Sequence, residues 1–273
     1  WQPDSNLNAI QSTGAADGLE VVVLLDTFTR WFEPENGHAL INVLRTAGGR
    51  VHVAHVNQER PLCCGRTFLA AGLLDEAKAE ARRLLKVLTP YFERDIPLIG
   101  LEPSCLLTLR DEYAALLPDE IIDSMTDHAL LLEEFLVRNL NRLHLDLRPM
   151  AIKHAALHGH CHQKAFATDH DVETVLNWIP ELTVSPIASS CCGMAGDFGQ
   201  WAKNYDVSMA MGELSLLPAV RVLDPNTVVV GGGTSCRQQI HDGTGRDAVH
   251  FVQLLYQSMA HSAATRTGET GHS

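Results

Sequence analysis

The sequence predicts an α/β fold of two pseudo-repeated lobes, each built on a parallel sheet, with cysteine loops at the carboxyl ends of the strands. Three observations carry that expectation. Runs of four to six residues rich in Val, Ile and Leu alternate with amphipathic stretches. Continuous apolar runs of that length suit strands buried on both faces, and helices between such strands make a layered sheet. The same order of elements occurs twice. Finally, each half carries one Cys-Cys-Gly, at Cys63-Cys64-Gly65 and at Cys191-Cys192-Gly193.

Residues 1–18 are polar and rich in Gly, Ser and Asn, and read as a linker or tail. Residues 19–110 make the first lobe, with strands at Glu20–Leu25, Val51–Val56 and Ile96–Leu101. His38–Ala47 reads as a helix because Leu40, Val43 and Leu44 share a face and Gly48-Gly49 supplies a stop. Leu74–Phe92 arranges Glu76, Lys78, Glu80, Arg82 and Lys86 around an apolar stripe, the signature of a half-buried helix.

Residues 111–150 connect the lobes and hold one of the longest helices, over Thr126–Leu143. Ser124 or Thr126 opens it, and Leu130, Leu131, Phe135, Leu136 and Leu140 line it. The second lobe, 151–260, has strands at Ala155–His158, Leu182–Ile187 and Thr227–Val230 and helices at Val172–Ile179, Asp206–Ala219 and Asp247–Met259. Residues 261–273 read as a flexible tail. The halves match in order and in spacing. Between Cys64 and Cys105 lie 40 residues, and between Cys192 and Cys236 lie 43. A pseudo-twofold axis relates such halves, around one shared core or two abutting ones.

The chain of 273 residues is 45% apolar and 20% charged, enough to bury a sizeable core. Its 33 acids against 21 bases give a net charge of −12. That balance disfavours a nucleic-acid binder, which needs a basic face. No window approaches the roughly 18 apolar residues that span a bilayer. The chain opens on Trp1 rather than Met and reads as a piece of something longer.

The chemistry lies in seven cysteines: Cys63, Cys64, Cys105, Cys161, Cys191, Cys192 and Cys236. Adjacent cysteines rarely reach good disulfide geometry, and the number is odd, so a reduced compartment with metal or redox chemistry fits better than a disulfide framework. Each cysteine follows an apolar run. In an open α/β sheet the carboxyl ends of the strands share one rim, where ligands collect. All seven thiols are therefore expected there, none inside a helix or mid-strand. Gly65, Gly193, Gly196 and the run Gly231-Gly232-Gly233 would let backbone approach a bulky inorganic centre or simply make tight turns.

Cys161, Cys191, Cys192 and Cys236 have the ligand count of an iron–sulfur cluster or a tetrahedral zinc. Short C-x-x-C knuckles are missing and the ligands are scattered over three strand ends, which favours a cluster, with zinc as the alternative. The first half offers Cys63, Cys64 and Cys105, with Asp26-Thr27 where the second half has Cys161. Three thiols make a degenerate site, an incomplete cluster open to an outside ligand, or extra ligands to a larger centre. His154, His158, His160 and His162 surround Cys161. Were the strand to continue, the last three would share a side, as ligands, hydrogen-bond partners or plain rim residues. Arg66, Arg110, Lys164, Arg237 and Arg246 also lie near the rim, to pair with Asp111, Glu112 and Asp242 or to offset thiolate charge. No phosphate loop, nucleotide fingerprint or nucleophile–base pair stands out beside the thiols.

Together these motifs resemble the cysteine-rich CCG domain family, over about residues 19–258. Its members include the B subunit of heterodisulfide reductase, the C subunit of anaerobic glycerol-3-phosphate dehydrogenase, the iron–sulfur subunit of glycolate oxidase and lactate-utilisation proteins. GLEPSCLLTLRDEY, HGHCHQKA, CCGMAGDFG and GTSCRQQIHDGTGR most resemble the C-terminal iron–sulfur part of FAD-linked 2-hydroxyacid dehydrogenases of the D-lactate type. The family motif is a leading Cys, a Cys-Cys-Gly and a trailing C-x-x-C. Here the first leading Cys is absent at Asp26-Thr27, and each trailing pair keeps only its last member, Cys105 and Cys236.

The resemblance implies one cluster, of the 4Fe–4S type or replaced by zinc, held mainly by the second half. It implies an electron-transfer domain of a flavin-linked oxidoreductase, and so a component of an enzyme that oxidises a small 2-hydroxy acid. FAD would sit on a separate domain or subunit, with a ferredoxin-like domain alongside, and a quinone, a cytochrome or another molecule would accept the electrons. A cytoplasmic location is implied, in solution or peripheral on the cytoplasmic membrane face. Two other functions are weighed: a thiol/disulfide reductase site at an open cluster, and a zinc-stabilised docking module.

Overall fold

Among the described residues nine strands fall into two sheets, and each sheet repeats the other's strand order. The structure is a computed structural model, and it describes residues 7, 10–56, 60–118 and 127–259. In the first sheet the order is β1 (Ser12–Gly14), β3 (Arg50–Val53), β2 (Glu20–Val23), β4 (Leu98–Gly100) and β5 (Ala129–Leu131). Only β1 is antiparallel to its neighbour. The second sheet runs β7 (Thr183–Pro186), β6 (His154–His158), β8 (Val228–Gly231) and β9 (Ala248–Val249), all parallel. Leaving β1 aside, each half places its strands second, first, third, fourth. The winding reverses between the first and third strands, β2/β4 and β6/β8, which is where open α/β sheets form ligand sites.

The halves exchange helices. Pro34–Thr46, which leads from β2 to β3, packs on Phe251–Ser258, the last helix of the second half. Asp169–Leu176, which leads from β6 to β7, packs on Leu132–Asn139, which follows β5 of the first half. Leu40, Leu44, Phe251, Leu255, Leu136 and Val175 belong to one continuous buried cluster. The core between the halves is therefore shared. Each half also has an outer core. In the first half the 19-residue helix Leu74–Phe92 turns Ala77, Ala81, Leu84, Leu88 and Phe92 inward at helical spacing. Burying each large side chain there stabilises by about 1.5–3 kcal/mol.

The α/β class stands, and all six expected strands are present to within two or three residues at either end. Several elements differ. Ser12–Gly14 is an edge strand inside the stretch read as a linker; its polar sequence has no period to reveal it. The expected helix over 126–143 is a strand, Ala129–Leu131, followed by the short helix Leu132–Asn139. Ala129, Leu130 and Leu131 are buried in succession, as a parallel strand requires and a helix face does not. Leu74–Phe92, not this segment, is the longest helix among the described residues.

The helix expected over 206–219 breaks into Tyr205–Glu213 and Leu216–Arg221. Pro218 lacks an N–H and its ring collides with the carbonyl four residues back, at Leu214. Asp247–Met259 opens with β9, and His250 caps the helix by accepting from Val252 N at 3.2 Å. Residues 1–6, 8–9 and 261–273, in the two expected tails, lie outside the described residues, as do Ser124, Thr126 and Ala260. Among the described residues no helix is long and apolar enough to cross a membrane.

Candidate metal centre

Four sulfurs of the second half meet at the carboxyl ends of its strands. Cys161 opens the helix Cys161–Ala165 just past β6. Cys191 and Cys192 lie in the loop after β7, and Cys236 is in the first turn of Thr234–Thr244, past β8. Cys161 touches Cys191, Cys191 touches Cys192, and Cys192 touches Cys236. Cys192 and Cys236 are buried, Cys191 is half-buried and Cys161 is exposed, so the chain of sulfurs runs from the interior to the surface.

The loop that presents Cys191 and Cys192 is fixed by backbone chemistry. Gly193 has φ +100° and donates its N–H to Cys191 Sγ at 3.3 Å. A Cβ at Gly193 would stand 2.1 Å from Ser208 O, so only glycine fits. Lys164 Nζ donates to the carbonyls of Ser189 at 2.6 Å and Ser190 at 3.4 Å and holds the approach to Cys191.

The sulfurs share protons unevenly. Cys191 is held down to about 2 because Cys161 and Cys192 both donate to it. Cys236 lies well below the usual thiol range, because Cys192 donates to it and the rings of His160 and His158 stand beside it. Cys161 and Cys192, the donors, are pushed up, first by the hydrogen bond to Cys191 and then by burial. The arrangement thus favours the thiolate form, which binds metal, at Cys191 and Cys236. The donor set fits a thiophilic metal or cluster. Among the described residues, two groups of donor atoms lie within 4.8 Å of one another: His158, Cys192 and Cys236, and Asp111, Glu112 and His162. In the latter, Arg66 already pairs with Glu112.

The first half repeats the geometry with one sulfur fewer. Cys63 touches Cys64 and Cys64 touches Cys105, which lies in the first turn of Pro103–Arg110. Gly65, at φ +83°, donates its N–H to Cys63 Sγ at 3.4 Å, as Gly193 does for Cys191. Tyr113 donates its hydroxyl to Cys64 O at 2.8 Å. Thr27, the first residue of the helix Thr27–Trp31, takes the place of Cys161. Asp26 caps that helix, where His160 caps the equivalent one.

Here all three thiols are pushed up. Cys63 donates to Cys64 and is half-buried; Cys64, buried, donates to Cys105. Cys105 accepts from Cys64, which alone would lower it, but burial and the Asp26 and Glu102 carboxylates bring it to about 11.

One carboxylate ties the two groups together. Glu102, buried, accepts from Ser104 N at 3.3 Å and from Thr234 N at 2.9 Å. It therefore serves the N-termini of both trailing cysteine helices, where negative charge is favoured. Ser104 Oγ lies 3.3 Å from His160 Nε2. Arg237 pairs with Glu33, and its Nη1 donates to Gly231 O at 2.7 Å. Sequence reasoning missed Glu102 and Glu33. The Glu-Pro ahead of Cys105 is a helix-start signal that could have drawn attention to Glu102.

Other expectations need correcting. Cys105, Cys161 and Cys236 do lie inside helices, in their first turns. His158, His160 and His162 do not share a side, because β6 ends at His158, His160 is a cap and His162 is helical. The glycine run before Cys236 makes room for side chains: a Cβ at Gly232 would meet Gln163 Oε1 at 2.6 Å, and one at Gly233 the His160 ring at 2.6 Å. Of the rim cations, Arg66 pairs with Glu112 as expected, and Arg110 pairs with Glu134. Arg246 donates to backbone carbonyls, including Leu223 O at 3.0 Å and Thr227 O at 2.5 Å.

No family model matches the chain. Curated relatives exist, and the class they share is one of dehydrogenases, dehydrogenase subunits and a lactate-utilisation protein. The chain is 30% identical over 240 residues to the anaerobic glycerol-3-phosphate dehydrogenase C subunit of Escherichia coli K12, covering 85% of this chain and 57% of that one. It is 28% identical to D-2-hydroxyglutarate dehydrogenase of Pseudomonas putida, over 87% of this chain and 22% of the relative. Lactate utilization protein A 2 of Bacillus cereus AH820 is 20% identical over 88% of this chain and 99% of its own length. The chain thus spans a little over half of the first relative and about a fifth of the second.

Proposed function

We propose that this chain is the metal-bearing electron-transfer part of a flavin-linked dehydrogenase. The observation that carries the reading is the continuous chain of four sulfurs from Cys236 in the interior to Cys161 at the surface. Cys161, Cys191, Cys192 and Cys236 would hold the centre, and Cys63, Cys64 and Cys105 a lesser one. An iron–sulfur cluster, when bound, supplies one-electron redox chemistry whose potential depends on hydrogen bonds to sulfur and on exposure. The chain's own contribution is then positional. Gly193 N–H aims at a sulfur, the rings of His160 and His158 stand beside Cys236, and the exposed Cys161 offers the approach for a partner. The relatives' names support a dehydrogenase assembly acting on a small 2-hydroxy acid or glycerol phosphate, and the family resemblance adds a flavin-bearing partner.

A second reading rests on the trio of His158, Cys192 and Cys236. Zinc–sulfur bonds of about 2.3 Å put ligand sulfurs roughly 3.8 Å apart, and this trio is compact enough for one ion. The test is anaerobic loading of the chain, with iron, sulfide and zinc measured alongside EPR spectroscopy. A brown protein that bleaches with dithionite and holds iron and sulfide supports the first reading. A colourless protein with one zinc supports the second. Uptake of neither metal overturns both.

A further inference from the structure

His158 is the last residue of β6 and is fully buried, paired in register with Gly231 of β8 at the point where the winding reverses. Its Nδ1 lies 2.8 Å from Ser189 Oγ, and Ser189 Oγ donates to Ile187 O at 3.3 Å. A hydroxyl has one proton. With that proton spent on Ile187 O, Ser189 can only accept from the ring. A hydrogen on Nδ1 satisfies both of these bonds at once, and that tautomer presents the Nε2 lone pair. The ring stands beside the Cys236 sulfur, yet no well-formed hydrogen bond reaches the buried Nε2. A ring nitrogen of His158 lies within 4.8 Å of the sulfurs of both Cys192 and Cys236.

A buried nitrogen without a partner forfeits its hydration, and a protein interior seldom leaves one so. An imidazole whose far nitrogen is fixed by a hydroxyl tied to backbone has the orientation of a metal-binding histidine. The first half supplies the control. Leu24 holds the place of His158 one residue past β2, and there it is an ordinary member of the outer apolar core. Nothing in the fold of this rim requires a ring at that position.

We infer that His158 Nε2 is a direct ligand of the metal centre, beside the sulfurs of Cys192 and Cys236, with Ser189 fixing its tautomer. The inference rests on the reading that the four-sulfur group holds a metal. Imidazole and thiolate together suit zinc or iron.

The test uses the full chain loaded with zinc alone, and separately with iron and sulfide under anaerobic conditions. X-ray absorption at the metal edge is expected to show imidazole nitrogen among sulfur ligands in the wild type. In His158→Gln the imidazole signal should vanish, and resistance to a chelator should fall by about 10–100-fold. His158→Cys should retain the metal with an all-sulfur shell. Ser189→Ala should keep the imidazole signal but release metal several-fold faster. A wild type with only sulfur ligands overturns the assignment and leaves the metal reading standing. So does a His158→Gln shell identical to wild type. Should His158→Gln fail to fold, the wild-type shell alone decides. A chain that takes up neither metal overturns both.

Discussion

The two halves share one topology but support their thiols in opposite ways. In the first, Cys64 and Cys105 are two members of a large outer core that includes Leu84, Leu88, Phe92, Leu106 and Tyr113. In the second, Cys192 and Cys236 belong to a small outer core that, among the described residues, buries Met194, Leu216, Val220, Val229 and Ile240 beside them. The surroundings differ in sign as well. Asp26 and Glu102 stand near Cys105 and oppose thiolate formation, whereas His158 and His160 stand near Cys236 and favour it. The first group is thus set in extensive apolar packing, and the second in a much smaller apolar cluster, which on the proposed function leaves more of its order to a bound metal. Duplication of a fold does not duplicate its energetics: Asp26 stands for His160 and Thr27 for Cys161 at equivalent helix starts, and the thiols beside them are shifted differently.

The sharpest way to break this comparison is Cys192→Ser set against Cys64→Ser. Where metal binding and folding are coupled, loss of a ligand is also loss of local order. Cys192→Ser should abolish metal retention and leave a buried hydroxyl, destabilising by about 1–3 kcal/mol beyond the lost metal. Hydrogen exchange should rise over residues 187–221 while the helix Leu74–Phe92 stays protected. Cys64→Ser should spare most of the metal. Equal metal loss from both variants would reverse the ranking of the halves.

A second contrast uses the two matched glycines. Gly193→Ala puts a Cβ at 2.1 Å from Ser208 O, in a left-handed conformation, so the loop must move. Gly65→Ala meets its nearest atom, Ala77 O, at 3.0 Å, at a similar φ. Left-handed backbone alone costs about 1–2 kcal/mol for alanine. Thermal unfolding should show Gly65→Ala losing about that much and Gly193→Ala roughly twice as much, with metal retention lost only in the latter.

Much of this was legible in the sequence, and the reason is local. Six strands announced themselves because a parallel strand is apolar on both faces, and the thiols followed because each lies a few residues past such a run. What stayed hidden depends on distant partners. β1 is polar, and its place comes from the β3 edge it meets. Glu102 gains its role from Thr234, 132 residues away. His158 reads as a rim histidine until the short helix at Cys161 ends the strand and sends His160 and His162 in other directions. The difference between Leu24 and His158 was visible as two letters, but its meaning required the register that aligns them.

Two buried acids sharpen the comparison by pH. Glu133 supports the second half: Gln163 donates to it, and Gln163 Oε1 accepts from His160 N at 3.2 Å. Burial pushes Glu133 up from 4.5 to about 8. An acid whose folded pKa lies above its unfolded one gives most stability at low pH and loses it as pH rises between the two values. Stability should therefore decline between about pH 4.5 and 8, and Glu133→Gln should flatten that decline, by an amount on the order of 5 kcal/mol at the alkaline end. Denaturant titrations at about pH 5 and pH 8.5 measure it, and parallel slopes for the two proteins would remove Glu133 from the account.

Asp26 plays the corresponding part in the first half with a smaller effect. Burial and the neighbouring Glu102 charge push it from 3.8 to about 6. The sign is the same, so its cost grows from about pH 3.8 and is complete just above pH 6. Asp26→Asn keeps an oxygen for Phe28 N and Thr29 N, the bonds that cap the helix Thr27–Trp31. It removes the charge beside Cys105. The variant should gain about 1–3 kcal/mol at pH 7, less whatever the bond from Thr29 Oγ1 at 2.6 Å contributed, and nothing at about pH 3.5. It should also raise metal uptake by the first half when the second is disabled by Cys192→Ser, because a thiolate at Cys105 would no longer face that carboxylate. If uptake in that background stays at zero while the stability gain appears, the missing sulfur at Thr27, and not the charge at Asp26, is what silences the first group.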